Sequence, residues 1–421
     1  MTLVGIDDTD SRERGMCTTY AASRLAGAIR DAGGCVERVL LVRLNPAVEH
    51  KTRGNAALAV HTDLAADRAR RLVEEVLEMA ETDDPHTNPG AVVADCAPGA
   101  IPDAVADFAV DAVRTIQDPA AAKTLADAVG FARIERGNGR GLVGALAAAG
   151  AWEAFDDWTY EHIAYRERER WGTERDVDTE SVFAAADAHY PAVWDTVDRA
   201  SGYPVCVPRT PCPVLYGIRG DDPDACRQVA ESIESEPVAE STTFVTNQGT
   251  DVHLQDAALG EVADARAFRV TGEVAAEPET REGGHVFVDL AADGTRLACA
   301  AFEPTKGFRD RVRALRVGDR ITACGEVGDG TLKLEKFAVR ELVTTERVTP
   351  TCPECGRSMS SAGRDQGYRC RDCSTHADGK AARTLARDLE RGWYEVPPVA
   401  RRHIAKPLAR GGFDAPTHPE R

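Results

Sequence analysis

Four cysteines set the hardest local limit on how this chain can fold. Cys352 and Cys355 form one C-x2-C pair, Cys370 and Cys373 a second, and fourteen residues separate the two. Four thiolates at this spacing converge on one tetrahedral Zn²⁺, and Gly356 follows the first pair, where a tight turn favours a residue without Cβ. Protein fills all four coordination positions, so the expectation is a closed, structural zinc ribbon and not a catalytic metal. The other eight of the twelve cysteines stand singly in apolar stretches and read as core thiols.

The 421 residues are enough for two to four domains, each with its own core. No apolar run reaches the length of a membrane span, and the chain does not start with the charged-then-apolar pattern of a secretory leader. We therefore expect a cytoplasmic protein with no membrane partner. The formal net charge is −18, which taken alone argues against nucleic acid. The acids are spread along nearly every segment, however, which also fits a surface adapted to high salt. A global bias of that kind says little about any one site.

Strands and helices alternate through the first half, giving a mixed α/β layer over residues 1–165. From Glu161 the segment EHIAYRERERW is charged and aromatic and reads as a surface helix leading out of that domain. A smaller strand–helix–strand unit, of the kind found in ferredoxin-like α+β layers, covers 166–262, with Asp222 or Asp224 capping its helix. Between 263 and 346 the pattern turns to five short strands broken by Gly, Pro and Asp. That suits an OB-fold β-barrel, a frequent carrier of single-stranded nucleic acid, or an SH3-like barrel with no particular ligand. Residues 347–421 hold the zinc ribbon and a basic C-terminal segment that reads as a helix.

Three polar motifs carry chemistry. Behind the apolar strand Leu3–Ile6 lies GIDDTDS, which crowds Asp7, Asp8 and Asp10 together. Two carboxylates about 5 Å apart repel by roughly 3 kcal/mol at an effective dielectric near 20, so the cluster calls for a cation or ample water. Thr18 and Thr19 fall at the start of the next helix, whose free N–H groups and positive dipole end attract phosphate. Carboxylates for Mg²⁺ and a helix start for phosphate make a nucleotide site; the same residues also serve as ordinary turn and capping groups. Further on, RGNGRGLVGA places Gly137, Asn138, Gly139, Arg140 and Gly141 before an Ala-rich helix, a weak phosphate-loop signal that lacks the Walker pattern. The third motif, TNQGTDVHL, suits either substrate binding or a turn between domains. Near the C-terminus WYEVPPVARRHIAKPL concentrates cations with aromatic residues, and Trp393, Arg401, Arg402 and Lys406 are the candidates for RNA contact. The plain alternative for these arginines is pairing with acidic neighbours.

GIDDTDS with MCTT, RGNGRGLVGA, TNQGTDVHL, the ribbon and WYEVPPVARRHIAKPL occur in one order over nearly the whole chain. That ordered set resembles the archaeal tRNA(Ile) 2-agmatinylcytidine synthetase family. The resemblance implies a kinase-like ATP-handling domain, a ferredoxin-like domain, an OB-fold and a zinc ribbon. It also implies an ATP-dependent ligase that joins agmatine to C2 of the wobble cytidine of the CAU-anticodon isoleucine tRNA, by phosphorylating the C2 oxygen and then displacing the phosphate. On this likeness Asp7, Asp8 and Asp10 belong to the ATP and Mg²⁺ site, Thr18 is the threonine that becomes phosphorylated, and Gly137–Gly141 line the nucleotide. The agmatine site is not assigned. A non-catalytic nucleic-acid-binding protein and a small-molecule kinase with RNA-binding appendages are the competing classes.

Overall fold

The computed structural model describes every residue except Arg12, Arg14, His50, Thr52 and Arg53, so part of the loop SRERGM lies outside the described residues. The chain opens with β1 (Thr2–Asp7), α1 (Thr18–Asp31), β2 (Val36–Arg43), β3 (Ala56–Thr62), α2 (Ala66–Leu77), β4 (Gly90–Ala94), α3 (Asp103–Arg114), α4 (Pro119–Ala128), β5 (Ala132–Glu135) and α5 (Gly141–Ala154). β6 (Thr159–Arg166), α6 (Thr179–His189), β7 (Val193–Trp194), β8 (Val214–Gly220), α7 (Pro223–Ser232) and β9 (Val238–Thr246) follow. These strands form one nine-stranded sheet in the order β5-β4-β1-β3-β2-β9-β6-β8-β7. The two α/β units expected from sequence thus share a sheet, joined where β2 meets β9 in parallel through Leu40–Val245 and Leu41–Thr246.

Alternation along the strands sorts side chains to the two faces. Leu3 of β1 joins Leu142, Leu146 and the alanines of α5 with α3 on one side, while Val4 and Ile6 join Ala21, Leu25 and Ile29 of α1 on the other. Full burial of each such aliphatic side chain is worth roughly 1.5–3 kcal/mol. Gly5 is required because a Cβ there would strike the Ala145 backbone of α5. The cap of α7 is Asp222, whose side chain accepts from the N–H groups of Asp224 and Ala225.

The expected surface helix after Glu161 is instead β6, a central strand whose residues are nearly all buried. Its charges are buried in pairs, which is why a charge-rich string can lie inside a sheet. Arg166 Nε donates to Glu236 Oε1 at 2.6 Å, and both side chains are almost wholly shielded.

β10 (Leu254–Asp256) leads into β11 (Arg266–Val274), β12 (Glu279–Thr280), β13 (Val286–Ala292), β14 (Thr295–Ala301), α8 (Phe308–Arg313), β15 (Arg320–Gly328) and β16 (Thr331–Glu341). β11 pairs with β13, β13 with β14, β14 with β16, β16 with β15, and β15 returns to β11, so the five strands anticipated from sequence close into a barrel. Its core holds Val270, Val288, Leu290, Ile321 and Phe337.

β17 (Thr345–Val348) pairs with β21 (Ala381–Thr384), and the short strands β18 (Ser360–Ser361), β19 (Tyr368–Arg369) and β20 (His376–Ala377) make a small sheet of the ribbon. The expected C-terminal helix is absent among the described residues. β22 (Gly392–Glu395) extends the barrel by pairing with β16, and β23 (Thr417–His418) runs parallel to β22. Pro397, Pro398 and Pro407 explain the difference, because each lacks the N–H a helix needs. No helix among the described residues is long and apolar enough to cross a membrane.

Candidate active site and metal centre

β1 delivers Asp7 to its C-terminal end, and Asp8 bends the chain with φ +60°, a conformation Asp tolerates. The Asp8 N–H donates to Asp7 Oδ1 at 2.7 Å, and Arg140 reaches Asp8 Oδ2 with Nε at 3.2 Å and a terminal nitrogen at 3.0 Å. Burial, then Asp8 and Asp10, pushes the Asp7 carboxyl well above the ordinary carboxylate range in spite of Arg140. Burial likewise raises Asp8, with Arg140 opposing it. A site whose carboxylates resist ionisation although a guanidinium faces them is suited to a further cation.

Thr18 is the first residue of α1, and its Oγ1 accepts from Thr9 Oγ1 at 3.1 Å. The glycine loop comes up beside the carboxylates. Asn88 accepts from the Asn138 N–H with its side chain (3.0 Å) and from the Gly141 N–H with its carbonyl (3.1 Å). Gly137 adopts φ +62°, and a Cβ there would collide with the Asn88 side chain. Gly144, one turn into α5, is equally restricted because a Cβ would run into Asp7 Oδ2. The loop is therefore built to bring α5 hard against the strand end.

Asp7, Asp8, Asp10, Thr18 and Arg140 all open onto one cavity of about 1020 Å³. Of the glycine-loop residues, only Arg140 lines it; Gly137, Asn138, Gly139 and Gly141 lie behind. Sequence reasoning missed Asn88, and it missed Asp84, which accepts from Ser11 Oγ at 2.5 Å; both sit in the turn-rich ETDDPHTNPG before β4. It also missed Arg43, Glu161 and Arg219, which line the same cavity, since Glu161 stands in a segment that reads as a helix. The motif TNQGTDVHL forms a junction, and its Gln248 also lines the cavity. Asn247 exchanges two hydrogen bonds with the Arg43 backbone (2.7 and 3.0 Å), and Asp251 accepts from the buried Lys336 of the barrel at 2.8 Å.

The C-terminal candidates diverge. Trp393 is 4% exposed, with Nε1 donating to Asp414 at 2.8 Å, so its ring has no face for a base. Arg401 is equally enclosed, 3.3 Å from Asp195 and 2.5 Å from Glu395. Both are corrections: the arginine pairs with acidic neighbours because an unpaired guanidinium could not be buried there. Arg402 is paired to Glu335 and Glu326, at 2.5 Å each, yet keeps a third of its side chain exposed on the cavity wall. Lys406 is half-buried, its Nζ 5.5 Å from the centre of the Phe413 ring.

In the ribbon, ligand atoms of Cys352, Cys355, Cys370 and Cys373 lie within 4.8 Å of one another, as a tetrahedral Zn²⁺ requires.

Comparison with known proteins finds matches along the chain. Family models match residues 3–138 (TiaS TCKD domain), 139–253 (TiaS FLD domain) and 349–389 (TiaS C-terminal zinc ribbon domain). The isoleucine-tRNA 2-agmatinylcytidine synthetase TiaS of Haloquadratum walsbyi is 54% identical over 100% of both chains, and that of Methanosarcina acetivorans 46% identical over 97% of each. The crystal structure of TiaS in complex with its isoleucine tRNA and ATP superposes with a TM-score of 0.88 at 42% identity, covering 100% of this chain and 99% of the other. A complex of TiaS with that tRNA, AMPCPP and agmatine gives 0.86 at 40% identity with the same coverage. With three matching domain models and full-length likeness, the chain belongs to the TiaS family of isoleucine-tRNA 2-agmatinylcytidine synthetases.

Proposed function

We propose that this protein is the ATP-dependent ligase that conjugates agmatine to C2 of the wobble cytidine of the CAU-anticodon isoleucine tRNA. The observation that carries the reading is one cavity that joins Asp7, Asp8, Asp10 and Thr18 to residues of the second α/β half and the C-terminal segment, in a chain matched end to end by the family. In this reading the first α/β half is kinase-like, the second ferredoxin-like, and the closed barrel an OB-fold that presents the anticodon region. The protein works in the cytoplasm.

Asp7, Asp8 and Asp10 hold Mg²⁺, which offsets phosphate charge when bound. Arg140 steadies Asp8 and reaches toward phosphate, while Asn88 fixes the loop Gly137–Gly141 behind it. Thr18 presents its hydroxyl at the start of α1, where unpaired backbone N–H groups favour an incoming phosphoryl group. The C2 oxygen of cytidine is a poor leaving group until phosphorylated, which gives ATP its role. The four ribbon cysteines hold a structural Zn²⁺, and Arg402 and Lys406 remain the C-terminal residues proposed to meet RNA.

The test is the mass of the wobble nucleoside after incubating zinc-loaded protein, ATP, Mg²⁺ and agmatine with the unmodified tRNA transcript at high salt. A gain of agmatine minus water is expected. An unchanged nucleoside on tRNA bound by folded protein would favour a binding module instead.

A further inference from the structure

Five arginines line the cavity among the described residues, and four carboxylates besides Asp8 balance two of them. Arg401 faces Asp195 and Glu395, Arg402 faces Glu326 and Glu335, and Arg140 faces Asp8. Arg43 and Arg219 differ. They share the single carboxylate of Glu161, with Oε2 3.3 Å from Arg43 and Oε1 3.2 Å from Arg219. Glu161 is the one carboxylate in direct contact with this pair; Asp195, beside Arg401, also feels the Arg219 charge, so it is the donors of the pair and not a net charge that set it apart.

Donors are left over at this pair. Arg43 spends Nε on Gln248 (2.7 Å) and one terminal nitrogen on Glu161. Arg219 spends only Nε, and its two terminal nitrogens find no hydrogen-bond partner among the described residues while a quarter of the side chain stays open. Glu161 is 5% exposed with both oxygens engaged, so it is a poor seat for the amine or guanidinium of agmatine. Burial raises the Glu161 carboxyl, but Arg219 and Arg43 outweigh it and hold the group below its ordinary range, which keeps the lock charged.

We propose that Arg219 and Arg43, held by Glu161 and Gln248, form an anion subsite that grips a phosphate group on the cavity wall made by β2, β6 and β8. The planar fork of a guanidinium matches two phosphate oxygens, and the two terminal nitrogens of Arg219 left open to the cavity present that fork. The inference rests on the ATP-dependent tRNA-modifying function above. That chemistry offers two sources of the same group, a phosphate of ATP or one flanking the wobble nucleotide.

The experiment is calorimetric titration of full-length, zinc-loaded protein at fixed salt with cytidine, cytidine 3′,5′-bisphosphate and a non-hydrolysable ATP analogue. If the wobble phosphate is the occupant, the bisphosphate binds about tenfold more tightly than cytidine, and Arg219→Gln, which keeps a hydrogen bond to Glu161, cuts that ratio to about two. If ATP is the occupant, Arg219→Gln weakens the analogue about tenfold and leaves the ratio alone. A folded variant that moves neither quantity beyond about twofold overturns the subsite. Should Arg219→Gln fail to fold, Arg219→Lys is read the same way, since a lysine keeps charge but loses the fork. The readout is binding, so failure of wild-type protein to modify tRNA would count against the enzyme assignment and not against the subsite.

Discussion

Asp7 and Arg401 are both largely shielded charges on the wall of one cavity, and they differ in what faces them. Arg401 meets two carboxylates, Asp195 and Glu395, and its proton is held more tightly than in water because their attraction outweighs the cost of burial. Asp7 meets the like charges of Asp8 and Asp10, and Arg140 offsets only part of the strain. A buried charge that the fold has neutralised belongs to the scaffold; one left under stress is kept for a ligand. The Arg43–Glu161–Arg219 cluster lies between these extremes, which is why it is the place to look for an anion.

The most destructive way to test the comparison is Arg401→Ala. Removing the guanidinium takes from Asp195 and Glu395 the cation that directly pairs them, leaving Glu395 only its backbone donors from Leu408 and Glu420, and the expected loss is about 3–5 kcal/mol of stability. Chemical denaturation reads it directly. A variant as stable as wild type that has lost tRNA binding would make Arg401 an RNA ligand after all.

Next comes the stressed wall. Asp8→Ala should lower agmatine transfer by about 10²–10³-fold, the usual cost of one electrostatic contact to a transferring group, with tRNA affinity within about twofold of wild type. Single-turnover assays beside filter binding separate the two. Equal losses in both would place Asp8 in RNA binding.

These contrasts also show what is legible in the sequence. Asp7, Asp8, Asp10 and Thr18 can be found there because a strand end and a helix start are local features, and their meeting in one cavity follows from a short connection. The five barrel strands and the four ribbon cysteines are legible for the same reason: alternation and C-x2-C spacing act over a few residues. The fates of Trp393 and Arg401 are not, because whether a cation is bare or matched depends on Asp195, some two hundred residues away. Glu161 is hidden along with β6. A charged strand looks like a surface helix until Arg43, Arg219 and Glu236 arrive to pair it.

A buried group kept neutral gives a third case. His253 is 1% exposed, and burial lowers it to about 4, with Arg114 pushing the same way and Asp251 opposing; the His403 ring lies 5.2 Å away. Its unfolded value is near 6.5, so on acidification the unfolded chain takes up the proton first. The contribution is complete above about pH 6.5 and is lost as pH falls toward 4, the loss amounting to about 2 kcal/mol at pH 5. His253→Gln should shrink by that amount the drop in unfolding free energy between pH 7 and pH 5, read from urea denaturation. An unchanged drop would mean that other groups, His403 among them, carry the acid sensitivity.

The smallest effect is the most discriminating. Asp7→Asn keeps the acceptor for the Asp8 N–H, now 2.7 Å from Asp7 Oδ1, and removes the charge that burial, Asp8 and Asp10 all oppose. If Asp7 is strained for function, the variant should be more stable than wild type by about 1 kcal/mol when ATP and Mg²⁺ are absent, a rise of roughly 2 °C, while losing the reaction. Adding ATP and Mg²⁺ should then raise the melting temperature of wild type more than that of Asp7→Asn, because the cation relieves a repulsion the variant no longer has. A loss of stability in Asp7→Asn would say that the carboxylate is matched within the fold, as Arg401 is, and would remove the basis for reading charge stress as a mark of the ligand site.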